Sequence, residues 1–323
     1  METTAVRPRL QFTLRQDQSG FRPVFPLGNA AGRCPYGCRF CSVKNSAKVT
    51  LEDSIRRFEE LCEAYAPLLT GPYHPVIYNQ GNVTNPQEFP RALLDHVLDR
   101  FNGNGWVQYV SLNSREREAS DEVLQSLTDK DLSYPIHFIF GQESFSPRTF
   151  TIFGKDTRGE LARFVHKLRP YNKAFAGRLS GKDYVFGLDV NLVFLPALYV
   201  EDDAPTANQA VASREGLKHD LGRLLAHVDL EVPFEVNIHP YHRVRALPYG
   251  DADLGLLMSI VPDLQQLLTA HNAGRQGCPC HLFLGVEGIG YDSAKQRAQI
   301  HKWKPVIDQF NRSGIVDFSL RSA

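Results

Sequence analysis

The segment Cys34-Pro35-Tyr36-Gly37-Cys38-Arg39-Phe40-Cys41 places three thiols at Cys-x3-Cys-x2-Cys spacing. With cysteine at about 2% of the chain, this spacing arises by chance roughly two times in a thousand. Thiolates are soft ligands that hold zinc, copper or iron–sulfur clusters. Structural zinc asks for four protein ligands, and no fourth cysteine or histidine stands nearby at paired spacing. Three thiolates fit an iron–sulfur cluster better. A cubane held by Cys34, Cys38 and Cys41 leaves one iron without a protein ligand, open to a further molecule.

The other three cysteines carry less. Cys62 falls on the same helical face as Leu51, Ile55, Phe58, Leu61 and Tyr65, where a small buried core residue is expected. Cys278-Pro279-Cys280 allows a second cluster or a redox-active or incidental loop pair, and a single cluster is the expectation. Six cysteines in a chain whose first ten residues lack an apolar signal core read as reduced thiols, which points to the cytoplasm.

These residues must be held by a scaffold. Candidate strands over Pro23 to Ala30, Pro75 to Gly81, Trp106 to Asn113, Pro135 to Glu143, Tyr184 to Pro196, Pro233 to Tyr241, His281 to Glu287 and Ile315 to Leu320 alternate with segments of helical period. Thr50, with Asp53 three residues on, predicts a capped helix directly after the cysteine run. The alternation predicts an α/β fold, a TIM-type (β/α) barrel, either complete (β/α)8 or partial (β/α)6 with a C-terminal extension. Residues 1–22 are expected to be an N-terminal extension and 23–323 one barrel domain, with its core in 23–245 and further βα units in 246–323. Functional side chains then belong at the C-terminal ends of the strands.

Composition narrows the classes. Of 323 residues, 42% are hydrophobic and 22% charged, enough apolar material for a core of that size. Thirty-six basic residues balance thirty-six acidic ones, which argues against a general nucleic-acid-binding coat. The longest apolar run, Leu192 to Val200, is interrupted by Pro196 and falls far short of a membrane span.

The cysteine run, with aromatic Phe40 before the last thiol, resembles the signature of the radical S-adenosylmethionine superfamily. The resemblance implies a [4Fe-4S] cluster on Cys34, Cys38 and Cys41 and S-adenosylmethionine on the remaining iron. It also implies reductive cleavage to a 5′-deoxyadenosyl radical that takes hydrogen from substrate. Three strand ends extend the likeness over roughly Pro23 to Pro147. Tyr78-Asn79-Gln80-Gly81-Asn82-Val83 is similar to the family's Gly-Gly-Glu element, with Asn82 where a second small residue is usual. Ser111-Leu112-Asn113-Ser114-Arg115-Glu116 is similar to the Glu-Ser-Arg-Pro-Glu pattern of elongator-type enzymes, with Asn113 replacing the acid. Gly141-Gln142-Glu143-Ser144-Phe145-Ser146 is similar to the Gly-x-Glu-Ser-x-Ser element of tRNA methylthiotransferases. Phe40, Gly81, Asn82, Val83, Asn113, Glu143 and Ser144 are the cofactor contacts implied. On the residues alone, the same segments also read as an Asn-Pro turn and a serine-capped helix start.

The second half bears on substrate. Ser146 to Lys182 holds nine Lys or Arg against Asp156 and Glu160, interleaved with aromatic rings. Such a segment suits an anionic partner with a base or sugar face, or is a solvated face balanced by acids elsewhere. Asp189, Asn191, His239, Tyr241, His242, Arg243 and Glu287 stand near later strand ends and are the candidate substrate contacts, since hydrogen abstraction needs positioning rather than an acid or base. No single residue is assigned a catalytic role. The expected substrate is a phosphorylated small molecule such as a nucleotide or nucleotide-sugar, with flavodoxin or ferredoxin as electron donor and no membrane or nucleic-acid partner. A fainter similarity to tunicamycin-type nucleoside-antibiotic enzymes suggests carbon–carbon bond formation in antibiotic biosynthesis. Modification of tRNA and a non-enzymatic zinc-binding interaction module are the alternatives.

Overall fold

The computed structural model describes residues 14–41, 48–79, 81–179, 182–200, 206–227, 232–241, 247–273, 280–285 and 294–321. Eight strands form one sheet in chain order: β1 (Leu14–Asp17), β2 (Gly20–Pro26), β3 (Val76–Tyr78), β4 (Val110–Asn113), β5 (Ile136–Glu143), β6 (Phe186–Phe194), β7 (Phe234–Pro240) and β8 (His281–Leu284). From β2 to β8 each strand runs parallel to the next. The helices are α1 (Leu51–Tyr65), α2 (Arg91–Phe101), α3 (Asp121–Thr128), α4 (Arg148–Phe153), α5 (Glu160–Ala174), α6 (Thr206–His227), α7 (Leu254–Ala273) and α8 (Ala294–Ser313). The alternation is that of a TIM-type (β/α) barrel, as expected from the sequence.

The sheet has the eight strands of a complete barrel, but the first of them is not parallel to the rest. Seven parallel strands are joined by an antiparallel β1, which pairs Leu14 with Pro23 and Asp17 with Gly20 inside the segment read as an extension. Gly20, at φ 130°, makes the turn, and a Cβ there would lie 2.2 Å from the Pro72 carbonyl oxygen. The hairpin nearly closes the barrel: the Gln18 side chain lies 3.1 Å from His281 Nδ1, and the Arg22 guanidinium sits 4.7 Å above the Phe283 ring. The strand expected over Ile315 to Leu320 does not form. Gly314, at φ 69°, ends α8, Ile315 and Phe318 remain exposed, and Asp317 caps a short 3-10 turn instead.

Period-two alternation gives the strands unlike faces. Outward residues such as Phe25, Ile77, Leu112, Phe138, Leu188, Val190 and Ile238 are buried under the helices. Phe25 alone meets Phe58, Tyr65 and Phe101 at centroid distances of 5.3, 5.2 and 5.6 Å. Inward positions are polar: Ser111, Asn113, His137, Asp189, Asn191, Glu235, Asn237 and His239 line the interior. The apolar core is therefore the layer between sheet and helices, and the barrel interior is left for hydrogen bonds and charge. In α1, the Thr50 hydroxyl accepts from the Asp53 amide, as the sequence predicts, and Glu52 and Asp53 complement the helix dipole. Among the described residues no helix is long and apolar enough to cross a membrane.

Candidate functional site

The cysteine run follows β2 in the loop leading to α1, at the C-terminal end of the barrel. Cys34, Cys38 and Cys41 are half-buried and form no disulfide, and the Cys41 amide donates to the Cys38 carbonyl at 3.3 Å. Gly37, at φ 59°, lets the chain turn between the first two thiols. The loop is fixed from two sides. The Arg39 amide donates to Phe153 O at 2.7 Å, its guanidinium reaches Thr151 O at 3.2 Å, and Phe40 packs on Phe153 with centroids 4.5 Å apart. On the other side the Tyr36 hydroxyl donates to Glu118, while Arg115 and Arg117 lie 4.6 and 3.9 Å over its ring.

The thiols share one electrostatic environment. Burial pushes Cys34 up to about 12, with Glu88, Cys38 and Cys41 adding to the rise and Arg115 opposing it. Burial also raises Cys38, against the pull of Lys155 and Arg115. Three neighbouring thiolates repel one another unless a cationic centre lies between them, and Arg115 and Lys155 offset the remaining negative charge. The donor set, all sulfur with three members, fits an iron–sulfur cluster with one iron unligated by protein. Tyr78, at the end of β3, lies in the same field: burial raises its hydroxyl, and charges on Cys41, Glu143 and Cys34 raise it further.

Glu88 organises the loops beneath the thiols. Its buried carboxylate accepts from Asn29 Nδ2 at 3.1 Å, the Asn82 amide at 3.2 Å and Asn82 Nδ2 at 2.9 Å. Asn29 begins the cysteine loop, so one carboxylate ties that loop to the β3 end. Gly81 is required by this closeness, because a Cβ would stand 1.8 Å from Glu88 Oε2. Asn113 donates to Gly81 O, and its own carbonyl accepts from Val83 at 2.8 Å. The Asn82 side chain is engaged at both ends, since its oxygen accepts from the Arg115 amide at 3.1 Å.

Glu143 closes β5 in a left-handed conformation, φ 65°, at a register shift between Gly141 and Glu143. A non-glycine residue held there stores strain, which surrounding contacts must overcome. Lys155 Nζ binds Glu143 Oε1 at 2.5 Å and lies 5.8 Å over the Phe40 ring. The next residue, Ser144, donates to Asp220 Oδ2 at 2.5 Å, and Asp220 also accepts from the Phe145 amide and the Tyr199 hydroxyl. Burial raises the Asp220 carboxyl, and these three donors draw it back in part. Asp220 thus anchors from α6 the segment that carries Glu143.

The structure gathers Cys34, Cys38, Phe40, Cys41, Gly81, Asn82, Val83, Asn113, Glu143 and Ser144 into this end of the barrel. The candidate substrate contacts divide. Asp189 lies inside the barrel, fully buried, with Ser111 at 2.6 Å and His137 at 2.8 Å. Asn191 accepts from Asn237 at 3.0 Å, also inside. His239 stands near the end of β7, so close to Gly285 that a Cβ there would lie 2.3 Å from its ring. Tyr241 is buried and stacks on Phe153 at 6.3 Å, continuing the ring contacts to Phe40. His242, Arg243, Glu287 and Cys278 lie outside the described residues. Cys280 is buried before β8, at the opposite end from the cysteine loop, and Cys62 is buried on α1 with its thiol pushed up to about 12.

Sequence reasoning missed Glu88, Lys155, Tyr78 and Asp220. Tyr78 and Glu88 flank the Gly81-Asn82 turn and were within its reach. Lys155 and Asp220 act across 12 and 76 positions of chain, and no local signal marks them. Five of the nine basic residues of the basic segment meet carboxylates: Lys155 pairs with Glu143, Arg158 with Asp156, Arg163 and Lys167 with Glu116, and Arg178 with Asp131.

No protein-family model matches the chain, and no curated protein matches it. Among solved structures, spore photoproduct lyase complexed with dinucleoside spore photoproduct aligns at 10% identity over 87% of this chain and 81% of that one, with a TM-score of 0.44. A single-substitution mutant of spore photoproduct lyase aligns at 11% over 86% and 80%, with a TM-score of 0.43. A beta-glucosidase from Exiguobacterium marinum aligns at 11% over 95% and 87%, with a TM-score of 0.45. These likenesses carry no residue correspondence, and the chemistry must come from this chain's own side chains.

Proposed function

We propose that the protein is a radical S-adenosylmethionine enzyme whose cluster is held by Cys34, Cys38 and Cys41. The observation that carries this reading is a trio of thiols on one pinned loop at the mouth of a parallel barrel, with Arg115 and Lys155 beside it. When bound, a reduced [4Fe-4S] cluster supplies the electron that cleaves the sulfonium of S-adenosylmethionine, and the resulting 5′-deoxyadenosyl group takes hydrogen from substrate. The chain's own work is placement. Glu88 and Asn29 set the start of the cysteine loop, Phe153 fixes its end, and Lys155 holds the Glu143 carboxylate toward the thiols. Tyr78 and the polar interior below it offer hydrogen bonds to a bound molecule while the apolar layer stays outside the sheet.

For the substrate we propose a polar anionic small molecule of the nucleotide or nucleotide-sugar class. Support comes from the arginines around the cysteine loop, Arg33, Arg39, Arg115 and Arg117, rather than from the basic segment as a whole. The test is anaerobic reconstitution with iron and sulfide, followed by assay for 5′-deoxyadenosine with and without deuterated nucleotides. Brown protein that forms 5′-deoxyadenosine and transfers deuterium into it supports both statements. Colourless protein whose stoichiometric zinc is lost on replacing Cys34, Cys38 and Cys41 by Ala overturns the first, and salt-sensitive binding of bulk tRNA in place of nucleotides overturns the second.

A further inference from the structure

The densest charge in the described interior lies at the other end of the barrel, around the strand starts. Asp17 ends β1, His74 precedes β3, Tyr109 precedes β4, and His137 and Glu235 are the second residues of β5 and β7. The Tyr109 ring is stacked between His74 and His137, with centroids 4.5 and 3.9 Å away and planes within 16°, and its hydroxyl donates to Glu235. Asp189 pairs with His137, and Arg22 stands among the carboxylates.

Two features of this cluster are unsatisfied. His74 is fully buried, with Nε2 3.0 Å from Asp17 Oδ2, yet neither ring nitrogen nor that oxygen has a hydrogen bond of acceptable geometry. Such orphaned groups are costly and call for a partner. Carboxylates are also crowded: Asp17, Asp189 and Glu235 lie around a single guanidinium, that of Arg22. Arg22 does not saturate these carboxylates. Its Nη1 stays 3.7 Å from Asp17 Oδ2 and 3.5 Å from Glu235 Oε2 while donating to Asn237 Oδ1 at 3.3 Å.

We propose that Asp17, His74 and Glu235 form a site for one divalent transition-metal ion, with zinc the best match, at the N-terminal end of the barrel. One imidazole nitrogen and two carboxylate oxygens are a suitable donor set for such an ion. Their ligand atoms already lie within 4.8 Å of one another. Ligands at about 2.1 Å from a tetrahedral zinc stand roughly 3.4 Å apart, so small side-chain rotations close the site. A dication sets positive charge among the three carboxylates and gives His74 a partner. Tyr109 then orients Glu235 from outside the coordination shell. The ion would clip the β1–β2 hairpin to β7, across the gap the hairpin nearly closes.

The test uses the full chain with Cys34, Cys38 and Cys41 replaced by Ala, so that the thiol loop takes no metal. After stripping with chelator, this protein is titrated with zinc and, separately, with cobalt(II). The expected result is about one zinc retained per chain through gel filtration, a rise in Tm, and cobalt bound without thiolate-to-cobalt charge-transfer absorption. His74→Gln and Glu235→Gln, added singly, should each weaken zinc binding at least about 10-fold. Failure to bind zinc or cobalt, equal binding by both added variants, or a thiolate charge-transfer band would overturn the proposal. If the added variants do not fold, the cobalt spectrum of the parent decides. Because the thiol loop is removed, the outcome is independent of the cluster assignment.

Discussion

The two ends of the barrel are both polar but are built differently. At the C-terminal end, two buried carboxylates are answered by neutral donors, Glu88 by two asparagines and a backbone amide and Asp220 by two hydroxyls and an amide, and two by lysines, Glu143 by Lys155 and Glu116 by Lys167. At the N-terminal end, charge answers charge, with Arg22 set among Asp17, Asp189 and Glu235. Neutral donors fix loop geometry without adding net positive charge, which leaves the thiols as the reactive groups of that end. The charged end holds distant strands together, a task in which direction matters less than strength.

The largest effect expected from breaking this division is chemical. Cys34→Ala, Cys38→Ala or Cys41→Ala should each reduce bound iron and sulfide sharply and take 5′-deoxyadenosine formation to background, while Cys62→Ala leaves both near wild type. Arg22→Met removes the cation from among three buried carboxylates and should cost about 3–5 kcal/mol in urea unfolding, because the partners are left uncompensated. Iron loading of the folded Arg22→Met protein should persist. If it is lost, the two ends are coupled rather than separate.

Smaller effects sharpen the comparison. Glu88→Ala leaves three N–H donors unanswered and should cost about 1–3 kcal/mol. Gly81→Ala drives a Cβ into the same carboxylate and should cost about 1–3 kcal/mol by overpacking. The smallest effect is in pH. Burial raises Asp220, so the folded protein takes up this proton before the unfolded chain does, and stability gains as pH falls through the raised value toward 3.8. For Asp189, burial acts upward, but His137, Arg22 and Ser111 prevail and hold it low. Its contribution is present above about pH 4 and is lost on further acidification. Urea midpoints from pH 7 to 3 should therefore respond in opposite senses to Asp220→Asn and Asp189→Asn, each by on the order of 1 kcal/mol.

Much of the scaffold is legible in the sequence because helical period marks most helices and side-chain caps mark the starts of α1 and α3. Thr50 and Asp53 mark α1, and the hydrophobic runs mark seven of the strands. The β1 strand is not legible, since Leu14-Arg15-Gln16-Asp17 has no apolar face. It pairs all the same, because its charged Asp17 turns toward an interior that is itself charged. Ile315 to Leu320 has strand-like residues, yet Gly314 turns the chain at φ 69° and Asp317 caps a 3-10 turn in place of a strand. At the site, the thiols declare themselves by spacing alone, whereas Asp220 and Lys155 depend on contacts that only folding creates. In the basic segment, Lys155, Arg158, Arg163, Lys167 and Arg178 find carboxylates, and Glu143, Glu116 and Asp131 come from outside it, a compensation that the local sequence does not display.

The loop bearing Cys34, Cys38 and Cys41 hangs from backbone and ring contacts to Phe153 and from the Tyr36–Glu118 contact. None of these tethers involves sulfur. On the proposed reading, loss of the cluster leaves these contacts standing, so the same molecule takes up iron and sulfide again without folding anew.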